Sequence, residues 1–505
     1  MAEALDMVID RLETRKFFKT FKFQYHPRMA VAAATRLRSS AGIRPGPHFK
    51  FVESDCNISC GTGGKKLEQL ETAVRGYHKW MMAVHQGERP VLENYCIIKM
   101  KAEWRFAYMA REEELQGLPN KAREFFIPGM QHNIHSYIMM EKRMIIERGN
   151  AINIGRRWFY GGAYEMALYL NYDLPRMNWN EGDFYKFDKH IVDWLLKIYI
   201  GTTTLYYDPA SMNKQERSMY TFMMETLMYN ITVKTTCHLG DFWRVMRGVM
   251  YSGGKETSHG DSWIVLLVFC LYLVHTMTVY PTMRAAIMKA IERKLIAIVV
   301  YGDDHIWSSP QVLPMLSEHT FADFVKDFVG MKIRDIIIHK RFLSEVDWDT
   351  GELRKIGPKF LKRYFIAGDI VPVMPFKPYN ESLIRLLIAN QTPQDFVLSA
   401  IGQAWDTMGT NRVAYDAIEY VFRYNLDRTH CTPAQILAER ESTMEGQAEM
   451  EKLRRKIHAA GKKGLKFPSY KKLRSLHKHD KEKVDHRKHP EEEVELVFER
   501  EVKGT

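Results

Sequence analysis

The sequence predicts a mixed α+β chain of several subdomains, and three observations carry that expectation. A β-branched run, a Gly-Asp turn signal and a second apolar run in "LIAIVVYGDDHIWSS" (295–309) read as a β-hairpin. The stretches "NESLIRLLIANQTPQDFVLSAIGQAW" and "VAYDAIEYVFRYN" repeat apolar residues at helical spacing, which predicts a separate helical module from about 371. The apolar run "WIVLLVFCLYLV" (263–274) lies between Asp261 and His275 and falls short of the roughly 20 residues a membrane span requires, so it is expected to be a buried core helix.

Along the chain, residues 1 to about 175 mix basic, aromatic and helical stretches, with loop signals at "AGIRPGPH" (41–48) and "CGTGGKK" (60–66). The second is not a P-loop, because Ser59 stands at the first Gly position and Lys66 where Ser or Thr is required. After about 445 the chain is Lys-rich and poor in large apolar residues, so a disordered or basic arm is expected there. The start, "MAEALDMVIDRLETRKFFK", is amphipathic and charged rather than a basic segment followed by an apolar one, so no secretory signal is expected. Six scattered cysteines suit free thiols in a reducing compartment. Cys56 and Cys60 are followed by no second Cys/His pair at zinc-finger spacing. A net charge of +12 favours a polyanionic partner, with nucleic acid first and an anionic membrane second.

Two adjacent acids beside a packed core need a reason, and the hairpin supplies one. Gly302 permits a tight turn that lifts Asp303 and Asp304 out of the core into one concave site, where they become ligands; a solvated turn is the competing reading. In "NEGDFYKFDKH" (180–190), Asp183 and Asp188 are five apart and would face opposite sides of a continuous strand, so they are expected to serve different roles across a turn. Asp183, Asp303 and Asp304 together offer the hard oxygen donors that Mg²⁺ prefers, and two such ions would stabilise attacking and leaving oxygens in phosphoryl transfer. In "SGGKETSHGDSW" (252–263) a Gly-rich turn runs into the apolar helix, and Thr257 and Asp261, four apart, share one helix face. An ordinary helix cap is the competing reading there.

In this order, "DFYKFD", "SGGKETSHGDS" and "YGDD" resemble motifs A, B and C in the palm of viral RNA-directed RNA polymerases, particularly the group containing picornaviruses and partitiviruses. "KMKAEWR" and "NKAREFFIPG" resemble motif F, "DFVGMKIRD" with "IIIHK" motif D, and "FLKRYF" motif E, so the matches span about 99–365. The resemblance implies a right-hand architecture of fingers, a palm with an antiparallel, RRM-like sheet, and a helical thumb. Its divisions would be fingers at 1–175, palm motif A at 176–200, a fingers insertion at 201–245, palm motifs B to E at 246–370, thumb at 371–445 and a basic tail at 446–505.

It further implies Asp183 and Asp303 as principal metal ligands with Asp304 in support, Asp188 sensing the ribose 2′-OH, and Ser252, Gly253 and Thr257 contacting template and ribose. Lys101, Lys121 and Arg123 would neutralise triphosphate charge, and Lys340 would be the motif D general acid. Picornavirus-like enzymes have Asn where this chain has Asp261, whereas partitivirus-like enzymes resemble it in having Asp. An acid near Asp188 alters the usual hydrogen-bond account of ribose selection.

The expected cofactor is Mg²⁺, with Mn²⁺ able to substitute. The expected partners are RNA template and product and NTPs, with capsid or other replication proteins and a membrane surface as further candidates. The expected location is the host cytoplasm, in a replication complex or within the virion. A reverse transcriptase and a noncatalytic RNA-binding or capsid-associated protein are the alternatives.

Overall fold

The computed structural model describes residues 1–23, 63–92, 94–101, 123–149, 151–238, 242–252, 254, 256–388, 392–436 and 466–478. The chain is a mixture of helices and mainly antiparallel sheets, and it divides into two compact units.

The first unit comprises the described residues of 1–12, 148–185 and 265–478. Its main sheet has four antiparallel strands in the order Ile298–Tyr301, Asp304–Pro310, Met177–Phe184 and Ile333–His339. The first two form the expected hairpin. Of its two turn residues only Gly302 has positive φ (64°), the distribution of a type II′ turn, which matches the twist of the strands it joins.

Alternation along the second strand sends Ile306 to one face and His305 and Trp307 to the other. Ile306 joins a core with Val299, Trp179, Met177, Phe342 and Phe365. On the opposite face Trp307 meets Phe269, and Phe184 and His305 meet Phe321.

A carboxylate sits inside that second face. Glu318 opens the helix Glu318–Phe324, capped by Ser317, and is fully buried. Its Oε1 lies 2.8 Å from His305 Nε2, its Oε2 accepts from Trp307 Nε1 at 2.5 Å, and its backbone N–H donates to Asn180 Oδ1 at 3.2 Å. Burial pushes the His305 imidazole down, but Glu318, with the Asp303 carbonyl and the Asp304 charge adding to it, outweighs burial and raises it. Gly182 is required beside this group, because a Cβ there would lie 2.6 Å from both Glu318 Oε1 and Ile333 Cγ2.

Beyond the main sheet, Lys359–Phe360, Arg363–Ala367 and Val373–Phe376 make a three-stranded antiparallel sheet. The helical module therefore begins later than 371. The segment 373–376 stays extended because it pairs with Arg363–Ala367, a partner that helical periodicity in one segment does not reveal. The helices Tyr379–Ile388, Pro393–Asp406 and Arg412–Thr429 follow, the second behind a Thr392/Asp395 capping box. They close on Leu386, Val397, Ile401, Ile418 and Phe422. Leu473 joins the same core, so 466–478 is a packed segment within the expected basic arm. Tyr415 OH donates to Pro468 O at 2.8 Å, and the short helix Tyr470–Ser475 buries Leu473 completely.

The second unit comprises the described residues of 13–147 and 186–264. Its sheet runs Arg123–Ile127, Tyr95–Lys101, Val233–His238, Phe242–Arg247, with the middle pair parallel and the outer pairs antiparallel. The helices Gly63–His85, Met130–Ile146 and Lys214–Thr232 belong to the same unit. Inside it Arg143 reaches Glu147 Oε1 at 2.9 Å and Thr203 Oγ1 at 2.7 Å, and His259 Nε2 lies 3.0 Å from Glu147 Oε2.

The helix Thr257–Val279 passes from the second unit into the first and is longer than its apolar run. By length and composition it could cross a membrane, yet 72% of its most apolar window is buried inside the protein. Among the described residues Cys96, Cys270 and Cys431 form no disulfide, and Cys56 and Cys60 lie outside them.

Removing the buried carboxylate leaves His305 and Trp307 without their shared acceptor. Glu318→Ala is expected to cost about 3–5 kcal/mol in urea unfolding, and Glu318→Gln less, because the amide oxygen still accepts one of the two bonds.

Candidate active site

Strand register gathers the acids. Gly182 pairs with His305 and Tyr301 with Asp304, so Asp183 stands at the next register position, opposite Asp304, with Asp303 in the turn beside it. Sequence separation had left this juxtaposition as an expectation; two antiparallel pairings in one sheet produce it. The turn projects into open space, since a Cβ on Gly302 would meet nothing within 4 Å.

The electrostatics follow from crowding. The Asp304 carboxyl, although open to solvent on one side, is pushed up to about 6. Loss of surrounding water is the largest cause, and the negative charges of Asp303 and Asp183 add to it. His305 and Lys362 pull the other way without cancelling it.

Asp183 is held differently. Arg334 Nε and Nη2 both approach its Oδ2, at 2.7 and 2.6 Å, with the two side chains 45% and 41% exposed. Arg334 also lies 3.7 Å from Asp335 Oδ2 and 5.5 Å from the centre of the Tyr185 ring. Sequence reasoning missed Arg334. The available signal was its place four residues after Gly330, within the stretch that resembles motif D.

Lys340, expected as a general acid, is not brought to these acids. Asp183 pairs with Arg334 at one end of the Ile333–His339 strand, and Lys340 follows the other end, where His339 pairs with Trp179. Six residues of strand put it about 20 Å away along the sheet.

The donor chemistry of Asp183, Asp303 and Asp304 suits a hard divalent cation. Their present geometry does not: among the described residues no three His, Cys, Asp or Glu side chains converge closely enough to hold an ion, and Asp183 is turned to Arg334.

In the second unit, Asp188 lies on the one-turn helix Phe187–His190, after Lys186 at φ 48°, so the chain does turn between Asp183 and Asp188. Ser252 Oγ donates to Asp188 Oδ2 at 3.0 Å, and Met250 N–H to Asp188 O at 2.8 Å. These bonds bring Ser252 and Asp188, two of the sequence-derived candidates, into direct contact. The Thr257 hydroxyl turns back on its own loop, to the carbonyls of Tyr251 and Gly254, the second at 3.0 Å.

The same loop is anchored by fully buried Glu256, which accepts from Ser136 Oγ at 2.6 Å and lies 3.1 Å from His132 Nε2. Burial pushes Glu256 up, but His132 and Ser136 more than offset it and hold the carboxyl below its usual range. Asp261 is buried one turn beyond Thr257. Lys101 and Arg123 are register partners at the ends of neighbouring antiparallel strands. Lys121 and Gly253 lie outside the described residues.

No protein-family model and no curated protein matches the chain. Among solved structures it is similar to a Sicinivirus 3Dpol RNA dependent RNA polymerase, at 15% identity and a TM-score of 0.48, over 70% of this chain and 67% of that one.

A carboxyl whose value rises on folding keeps its proton to higher pH in the folded chain than in the unfolded one. Its ionisation therefore costs stability as pH rises between about 4 and 6, and nothing below that window. Asp304→Asn is expected to stabilise the metal-free protein at pH 7.5 by up to about 1 kcal/mol, discounted for its solvent contact, with the gain vanishing near pH 4. Thermal unfolding at the two pH values measures it.

Proposed function

We propose that the chain is an RNA-directed RNA polymerase that extends an RNA 3′ end with ribonucleoside triphosphates on an RNA template, in replication or transcription of a viral RNA genome. The observation that carries this reading is the meeting of Asp183 with the Asp303–Asp304 turn at one end of an antiparallel sheet, on strands whose sequences resemble polymerase motifs A and C. Ser252 bonded to Asp188, two residues of the motif A and motif B resemblances, supports it independently.

On this reading the first unit's main sheet is a palm and the helices of 379–429 a thumb. Asp183, Asp303 and Asp304 would hold Mg²⁺, or Mn²⁺ in its place, only with Asp183 turned from Arg334, and the ion when bound would supply charge neutralisation for phosphoryl transfer. The protein's own residues bind and orient. Asp188 accepts a hydrogen bond from the ribose and is itself aimed by Ser252. Lys101, Lys121 and Arg123 neutralise triphosphate charge. Base pairing reads the template, so the protein needs only to grip backbones, in keeping with a net charge of +12.

The test is incorporation of labelled ribonucleotides on a defined RNA template with Mg²⁺, comparing the full chain with Asp303→Asn. Template-dependent product is expected from the first and background from the second. Preference for deoxyribonucleotides would make the chain a reverse transcriptase, and RNA binding without synthesis in both would reduce it to a noncatalytic RNA-binding protein.

Asp261→Asn is expected to retain synthesis while shifting discrimination between ribo- and deoxyribonucleotides, because it removes a buried acid from the helix that follows the Ser252 loop. A nucleotide competition assay measures the shift.

A further inference from the structure

We infer that Arg334 is a resident counter-ion for Asp183, occupying the place of cation charge in the metal-free protein and competing with the divalent ion for that carboxylate. The inference rests on the polymerase reading for the identity of the ion, and on two features of the sheet for the role of the arginine.

The first feature is the register. Along most of their length the strands Met177–Phe184 and Ile333–His339 pair in one frame, with Trp179 opposite His339 and Glu181 opposite Ile337. Continued without interruption, that frame would set Asp335 opposite Asp183, one acid facing another, an arrangement that destabilises a sheet. Instead the register slips by one residue between Glu181 and Asp183, and Arg334 takes the opposing position. The extra residue is accommodated where Asp335 adopts φ 52°, a left-handed conformation that Asp tolerates better than most side chains. A β-bulge beside a site re-aims a side chain in this way.

The second feature is the contact. Two guanidinium N–H groups converge on one oxygen of Asp183, while Asp335 and the face of Tyr185 steady the same guanidinium. A bond between charged partners in this geometry is stronger than a neutral one, yet both side chains remain open to solvent, so it is exchangeable rather than locked. The carboxylate that a divalent cation would need is thus already neutralised. An ion that binds Asp183 through Oδ2 competes with the arginine for that oxygen.

The test is binding of Mn²⁺ alone to the full-length protein at pH 7.5, read from the free-ion signal in electron paramagnetic resonance, with neither RNA nor nucleotide present. Arg334→Gln is expected to bind Mn²⁺ about two- to fivefold more tightly than the parent chain, the range set by an exposed ion pair. Asp303→Asn is expected to bind it more weakly. Arg334→Lys, which keeps the charge but loses the fork, should fall between parent and Arg334→Gln; it also serves as the test variant if thermal unfolding shows Arg334→Gln to be misfolded.

Equal or weaker binding by both Arg334 variants, with Asp303→Asn still impaired, would overturn the counter-ion role and leave the carboxylate site standing. If the parent chain itself binds no Mn²⁺, the metal site and the counter-ion role fall together.

Discussion

The buried carboxylate of Glu318 is the constraint on which the first unit's sheet turns. An ionised carboxylate removed from water is costly unless its oxygens are engaged. Here each oxygen has a partner on the same strand, His305 for one and Trp307 for the other. Those residues are two apart and so share a face, which leaves only one frame in which the strand can satisfy Glu318. A one-residue slip would carry both away and turn Ile306 toward the carboxylate. The same frame keeps Asp304 on the rim beside Asp183, so the position of the exposed acids is set by what is buried one residue further along. Gly182 belongs to this arrangement too, since the neighbouring strand has no room for a side chain where Glu318 and Ile333 close in.

Charge at the rim is balanced unevenly. Asp183 is paired with Arg334, whereas Asp304 is lifted toward neutrality by lost hydration and by the acids around it. The two responses are the ones open to crowded carboxylates, recruitment of a cation or retention of a proton. A bulge at Asp335 allows the first by replacing an acid with a base opposite Asp183, and it does so at the end of the sheet where the hairpin turn stands.

In the second unit a similar principle orders the Ser252–Thr257 loop. Glu256 is buried and held by Ser136 and His132, Thr257 folds back onto loop carbonyls, and Ser252 is left to reach Asp188. The helix that follows begins over a second buried set, Arg143, Glu147 and His259. Polar groups inside this unit thus act as fixed points for a loop that apolar packing alone would leave loosely aimed.

The hairpin at 298–310, the acids at its turn, the break between Asp183 and Asp188 and the core helix after Asp261 were all legible in the sequence. Each depends on neighbours a few residues away: a glycine able to adopt positive φ, an alternating run, a continuous apolar stretch. The ordered resemblance of three short motifs added the expectation that distant acids would meet. What the sequence did not reveal depends on partners far along the chain. Residues 373–376 remain a strand because Arg363–Ala367 pairs with them, and 466–478 packs because Leu473 finds the core of three helices. Lys340 was expected at the acids from the resemblance of its stretch to motif D, but an antiparallel strand carries successive residues away from the site at about 3.3 Å each. Arg334 and Glu318 read as ordinary charges until pairing set one against Asp183 and burial set the other beneath His305. The sequence by itself determined which chemical groups are present and where the chain turns; tertiary structure decided which of them meet, because strand register and burial are fixed by contacts between segments that are far apart in the chain.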